Sequence, residues 1–136
     1  MITLHSQLEH REFDYEQLRD PLEQNLFSLG GNWDYTSGSF DRSLDGDKQT
    51  VWLRIPFEVV HGELDSRSPQ PGTRVRVQTP YVIRHQYREG NDPEARFPMA
   101  GGMLNQFQAP ADPDAEVDEL YVQKAQEILQ AVVALF

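Results

Sequence analysis

The clearest periodicity in the chain runs from Thr50 to Val60. Val51, Leu53, Ile55, Phe57 and Val59 alternate with Trp52, Arg54 and Glu58, the period-two pattern of a strand with one buried face. Pro56 interrupts the run and predicts an edge position or a bulge, since proline has no N–H for a ladder. A second long strand is predicted from Arg74 to Tyr87. There Val75, Val77, Tyr81 and Ile83 alternate with Arg74, Arg76 and Arg84, with a bend at Pro80. Weaker strand signals lie at 8–13, at Asn32–Tyr35 and from Ser39 to Leu44. Ser37-Gly38 and Asp45-Gly46-Asp47 read as the turns between them.

Two segments carry helical spacing. In the first, Asp14 is the N-cap, Phe13 and Leu18 form a hydrophobic staple, and Gln17 completes a capping box. Leu18, Leu22, Leu26 and Leu29 then recur on or near one face, and Gly30-Gly31 is the expected stop. Pro21 either kinks this helix or starts its main part behind an Asp20 cap. The second helix follows an Asp118 N-cap, with Val117 and Val122 as its staple. Tyr121, Ala125, Ile128, Val132 and Leu135 form its apolar stripe. Between them, residues 88–110 are rich in Gly and Pro. They read either as a functional loop or as a loop holding a short strand at Met103–Phe107. Successive strands with short turns must be antiparallel. The expected fold is therefore α+β: a curved antiparallel sheet with two helices packed on one face, in a single domain over 1–136.

Charge narrows the range of partners. Against 12 Lys and Arg stand 22 Asp and Glu, for a net charge of -10. Such a surface repels a polyanion, so nucleic acid is not an expected partner. Four arginines, Arg74, Arg76, Arg84 and Arg88, nevertheless cluster on the second long strand. With no cysteine there is no disulfide, thiolate metal site or Cys nucleophile. No apolar run approaches membrane-spanning length, and no basic n-region precedes an apolar stretch at the N-terminus. The reading is a soluble cytoplasmic protein with no membrane partner.

Catalytic signatures are sparse. The acidic stretch 112–119 fails the calcium-loop pattern, because the glycine and glutamate positions hold Val117 and Gln123. The histidines lack zinc spacing, and no metal or cofactor is expected. There is no nucleophile elbow, phosphate loop or dinucleotide fingerprint. His61-Gly62-Glu63-Leu64-Asp65 does place three polar groups at alternate positions, with His85 on another strand able to approach them. Trp52 faces away from the main apolar set and marks a second buried face, a ligand pocket or a dimer contact.

Several longer stretches carry a family resemblance. Leu29-Gly30-Gly31-Asn32-Trp33-Asp34-Tyr35, with Ser39-Phe40-Asp41-Arg42-Ser43-Leu44, is similar to the YugN-like proteins. So are Leu53 to Glu63, Thr79 to Tyr87, Asn105 to Gln108, and Asp112 to Tyr121. The resemblance covers nearly the whole chain. It implies a small cytoplasmic protein without an established activity and a β-α-β4-α fold like that of the TATA-binding-protein group. It carries no catalytic residues over.

The resulting expectation is a non-catalytic soluble binding or interaction domain acting as a homodimer, with Trp52 at the interface. The alternative is a small-molecule-binding protein or enzyme. It would use a cleft between the sheet and the 88–110 loop, lined by Arg54, His61, Glu63, Arg84 and His85.

Overall fold

The computed structural model describes residues 1–64, 72–85 and 117–136; the expected 88–110 loop and its Met103–Phe107 strand lie outside these. Seven strands form one antiparallel sheet: β1 (Ile2–Thr3), β2 (Glu12–Asp14), β3 (Ser28–Leu29), β4 (Ser37–Ser43), β5 (Val51–His61), β6 (Arg74–Val77) and β7 (Tyr81–Arg84). Helix α1 (Tyr15–Gln24) follows β2, and helix α2 (Glu119–Val133) closes the chain. The architecture is α+β, with an open sheet ordered β1-β7-β5-β4-β3 and β2 joined through β6. Two short strands thus precede the first helix where one was expected.

Strand β5 is central, not an edge. It pairs with β4 along one side, and with β7 and then β6 along the other. The physical reason that Pro56 fits lies in its neighbours. The Pro56 carbonyl accepts from Gln78 N at 2.8 Å, so the side of Pro56 that lacks a donor faces the β6–β7 junction and not β4. At that junction the register shifts. Phe57 pairs with Val77 but Arg54 pairs with Tyr81, so Ile55 and Pro56 face the three residues Gln78, Thr79 and Pro80. This extra residue is a β-bulge. It reverses the alternation expected downstream. Val82, not Tyr81 or Ile83, turns inward opposite Leu53, and Arg84 falls opposite Val51 on the core side.

The core lies on the face of β5 that carries Val51, Leu53, Ile55 and Phe57, all buried. Tyr15 of α1 packs on Phe40 and Phe57 with ring centroids 5.9 and 6.0 Å away, and Phe40 meets Phe57 at 5.4 Å. Leu18 and Leu22 of α1 and Ala125, Leu129 and Val132 of α2 join the same cluster. Leu135, expected in the α2 stripe, is 51% exposed, and Leu129 takes the core position instead. Asp118 caps α2 as expected, accepting from Leu120 N at 3.0 Å. None of the described helices is long and apolar enough to cross a membrane.

Helix α1 starts where its caps place it, with Asp14 N donating to Gln17 Oε1 at 3.3 Å. Pro21 lies within the helix and does not start it. The stop comes before the glycines. Phe27 N donates to Leu22 O at 3.0 Å and Leu26 N to Glu23 O at 3.3 Å, the paired bonds of a Schellman cap. Leu26 holds the left-handed position, with φ at 69° and its side chain 73% exposed. Leu29, expected on the helix, lies in β3 opposite Phe40. The Asn32–Tyr35 stretch is a turn. The Asp34 carboxylate accepts from Thr36 N and Ser37 N, both at 2.8 Å, and Ser37-Gly38 opens β4.

The second turn follows the expectation at Asp45. Its carboxylate accepts from Thr50 N and Val51 N at 3.1 and 3.2 Å, and from the Thr50 and Ser43 hydroxyls. Burial pulls the Asp45 pKa upward, but these hydrogen bonds outweigh it and hold it below the ordinary value of 3.8.

Two stability predictions follow from the caps. Leu26→Gly should raise unfolding free energy by about 0.5–1 kcal/mol by relieving the left-handed strain, measured by denaturant titration. Because Asp45 is depressed in the folded state, its contribution is complete above the unfolded value and lost as pH falls through the folded one. Asp45→Asn should therefore cost about 1–3 kcal/mol at neutral pH and flatten this acid dependence. An unchanged acid limb in the variant would contradict the assignment.

Candidate functional site

The outer face of the sheet carries most of the chain's chemistry. Opposite the core residues of β5 lie Trp52, Arg54 and Glu58. Register places Ser43, Asp41 and Ser37 beside them on β4, and Ile83, Tyr81 and Arg76 on the other flank. At the centre, Asp41 receives a two-pronged Arg54 guanidinium, Nε to Oδ1 and Nη2 to Oδ2, each at 3.0 Å. The Ser39 hydroxyl donates to Asp41 Oδ1 at 3.0 Å. Asp41 and Ser39 are buried, and the Arg54 side chain keeps only 17% of its exposure. Burial works against the Arg54 charge, but the Asp41 and Tyr81 contacts more than offset it, so its pKa is raised. The Tyr81 ring lies 6.0 Å from the Arg54 guanidinium carbon.

Gly30 admits this arrangement. A Cβ there would stand 2.7 Å from Asp41 Oδ2 and 3.0 Å from Ser39 Oγ. Gly30 N donates to Ser39 O at 2.8 Å, so the backbone itself closes over the carboxylate. The glycine expected as a helix stop is instead the roof of an ion pair.

The predicted site residues divide among three places. Arg54 and His85 share one electrostatic neighbourhood. Burial first, and the Arg54 charge second, push the His85 pKa below 6.5, while Asp41 acts in the opposite sense. His61 and Glu63 lie at and beyond the far end of β5, exposed. His61 stands seven positions beyond Arg54 on the same strand, about 23 Å at strand rise. Arg84 lies on the core side, lining a cleft of about 290 Å³ with Asp45, Lys48 and Asp118. Trp52 is half-buried on the outer face, its Nε1 donating to Gln49 O at 3.0 Å. Asp41 escaped the sequence reading. Its available signal was its position in a short alternating strand with Ser39, a polar pair where a solvated face permits any residue.

The basic strand is answered from within. Arg76 reaches Glu12 and Glu58, both at 2.9 Å, and Arg74 reaches Asp14 at 3.1 Å and Glu12 at 3.9 Å. Two arginines thus meet three carboxylates in one chain of ion pairs across β2, β6 and β5. Their half-exposed positions keep each pair weak, because water screens the charges. Among the described residues no group of three His, Asp or Glu side chains comes together to hold a metal.

The sequence matches the model of the YugN-like family over residues 3–136. The chain belongs to that family. It is 30% identical over 122 residues to the uncharacterized protein YugN of Bacillus subtilis (strain 168), covering 90% of this chain and 88% of that protein. It is also similar to the crystal structure of an uncharacterized conserved protein YugN from Geobacillus kaustophilus HTA426. The TM-score is 0.68 and the identity 20%, over 99% of this chain and 94% of that one. At that identity the likeness speaks to the fold shared by YugN-like chains.

Removing Arg54 strands the buried Asp41 carboxylate, and removing Asp41 leaves the part-buried Arg54 guanidinium unmatched. Asp41→Asn or Arg54→Met alone should cost about 3–5 kcal/mol by denaturant unfolding. The double variant Asp41→Leu/Arg54→Met should lose much less than the sum, because neither charge is left behind. Additive losses would mean the two groups act independently.

Proposed function

We propose that this protein is a non-catalytic binding domain, a single YugN-like unit over residues 1–136. One observation carries the reading: the charged side chains of the outer face are engaged with one another, Arg54 with Asp41 and Arg74 and Arg76 with Glu12, Asp14 and Glu58. A general acid or base must reach a reacting atom and exchange its proton there. A buried carboxylate held two-pronged by a part-buried guanidinium serves the packing of the sheet instead. His61 and Glu63 stand too far from Arg54 to complete such a centre.

The alternative, a small-molecule-binding protein or enzyme centred on Arg54 and His85, draws on the neighbourhood that these two share with Asp41. In either form the proposed location is the cytoplasm. A second copy of the chain would meet the Trp52 side of the sheet, because the edge strands β1, β2 and β3 have only two or three residues each and offer little ladder to extend. The TATA-binding-protein-like fold enters only as an analogy, which carries no activity with it, and five described strands stand between the two helices where four were expected.

A thermal-shift screen of metals and neutral and charged metabolites tests the reading. At least one compound should raise the melting temperature and be recovered chemically unchanged after prolonged incubation with the protein. Conversion of that compound would replace the binding reading with the enzymatic one. Light scattering near twice 15.7 kDa supports the dimer, and a mass near 15.7 kDa removes it.

A further inference from the structure

We propose that a cleft between the N-terminal segment and helix α2 binds a small uncharged molecule. That molecule would carry hydrogen-bond donors and acceptors along one edge and hydrocarbon on the other. The inference rests on the binding reading above and adds to it a place and a ligand class.

The cleft measures about 720 Å³, within the range typical of small-molecule sites, about 300–1,000 Å³. It lies on different elements from Arg54, His85 and the ion-pair chain. Its floor is apolar: Leu4, Leu129 and Val133, of which Leu4 and Leu129 belong to the core. Its rim is polar: Thr3, His5, Ser6, Gln7, Gln126 and Gln130. Among the described residues that line it, none is Asp, Glu, Lys or Arg. A quarter of the chain is charged, so nine residues drawn evenly would include about two. In a chain of net charge -10, the described lining of this cleft holds no side chain of fixed charge. Its one ionisable side chain, His5, has its Nδ1 3.4 Å from Glu9 Oε1 and so is already turned to a carboxylate of its own chain, and burying a further, unmatched charge there would be costly.

Rim chemistry narrows the class further. A carboxamide both donates and accepts, and a hydroxyl does the same. Gln126 and Gln130 are four residues apart on α2, so they stand on one face about 5–6 Å apart at Cβ. Three carboxamides and two hydroxyls therefore suit a partner with mixed donors and acceptors, such as a hydroxyl-rich ring or a cyclic amide. The aliphatic floor suits that partner's apolar side.

Both walls are held in place without a ligand. Thr3 pairs with Tyr81, and Leu4 N donates to Pro80 O at 2.8 Å. Beyond them the chain turns tightly. Ser6 N donates to Glu9 Oε2 at 3.0 Å, Leu8 N to Ser6 Oγ at 3.1 Å, and Glu9 N to Ser6 O at 3.1 Å. The Thr79 hydroxyl reaches Glu9 Oε1 at 2.6 Å and ties this turn to the β6–β7 bulge. The opposite wall is anchored by Ala125, Leu129 and Val132 in the core. A preformed site spares a ligand the cost of ordering it.

The test is an NMR titration of the isotope-labelled full chain with two neutral probes, uridine and N-acetylglucosamine, and with uridine 5′-monophosphate as the charged counterpart. The expected result is saturable shifts from at least one neutral probe, confined to residues 3–7 and 126–133, with weaker binding of the monophosphate. Gln126→Ala/Gln130→Ala should weaken binding about tenfold or more, as the loss of two hydrogen bonds implies. Gln130→Trp should block it, and the unchanged melting temperature of both variants should show that the fold is intact. The proposal is overturned if neither neutral probe saturates at millimolar concentration, if the shifts fall elsewhere, or if the monophosphate binds as well as uridine. A hit from the metabolite screen that still stabilises Gln130→Trp would sink this site and leave the binding reading standing.

Discussion

Strand β5 is the constraint on which the rest of the molecule depends. Its alternation gives it one apolar and one polar face, and it is paired on both sides along most of its length. Val51, Leu53, Ile55 and Phe57 bring both helices into one core. Trp52, Arg54 and Glu58 gather the polar residues of four other strands on the opposite face. A slip of one residue would exchange the two faces and bury Arg54 among the core aromatics. Pro56 helps to define the register. Its donorless side is accommodated where the neighbouring strand bulges, and a shifted β5 would aim it at a continuous ladder.

The outer face follows from charge being matched locally. Arginine forms planar, two-pronged pairs with carboxylates, and ten of the chain's twelve cations are arginine. Arg54 takes Asp41 under the roof of Gly30, while Arg74 and Arg76 take the carboxylates of β2 and β5. Arg54, Arg74 and Arg76 are thus answered by carboxylates beside them on this face, and the net charge of -10 lies elsewhere on the chain, so these arginines form no track for an external polyanion. The cleft beside α2 lies apart from this economy of charge. Its described lining lacks Asp, Glu, Lys and Arg because its residues come from the first turn of the chain and from one helix flank, where Gln stands in place of Glu and Lys.

Much of the architecture was legible. The β5 alternation, the Asp14 and Asp118 caps and the Asp45 turn are local patterns with local causes, and each stands where the sequence puts it. The misreadings share one physical origin. Leu26 and Leu29 keep the helical spacing of Leu18 and Leu22, but Phe27 closes a Schellman cap first, and the gain from burying Phe27 outweighs the left-handed strain at Leu26. Tyr81 and Ile83 keep the alternation of Val75 and Val77, but the bulge at Gln78–Pro80 reverses it.

By itself, then, the sequence determined the class of fold, the long amphipathic strand β5, the two helices and the family, because these rest on periodicity and caps that neighbouring residues enforce, while the central place of β5 in the sheet did not show in its sequence. Only the tertiary structure decided which polar groups meet. Asp41 and Arg54 are 13 residues apart, Glu12 and Arg76 are 64, and the two walls of the cleft more than a hundred. No local pattern encodes such distances. They are set when strand register brings remote positions onto one face, and a single extra residue in a bulge is enough to change which side chains arrive there.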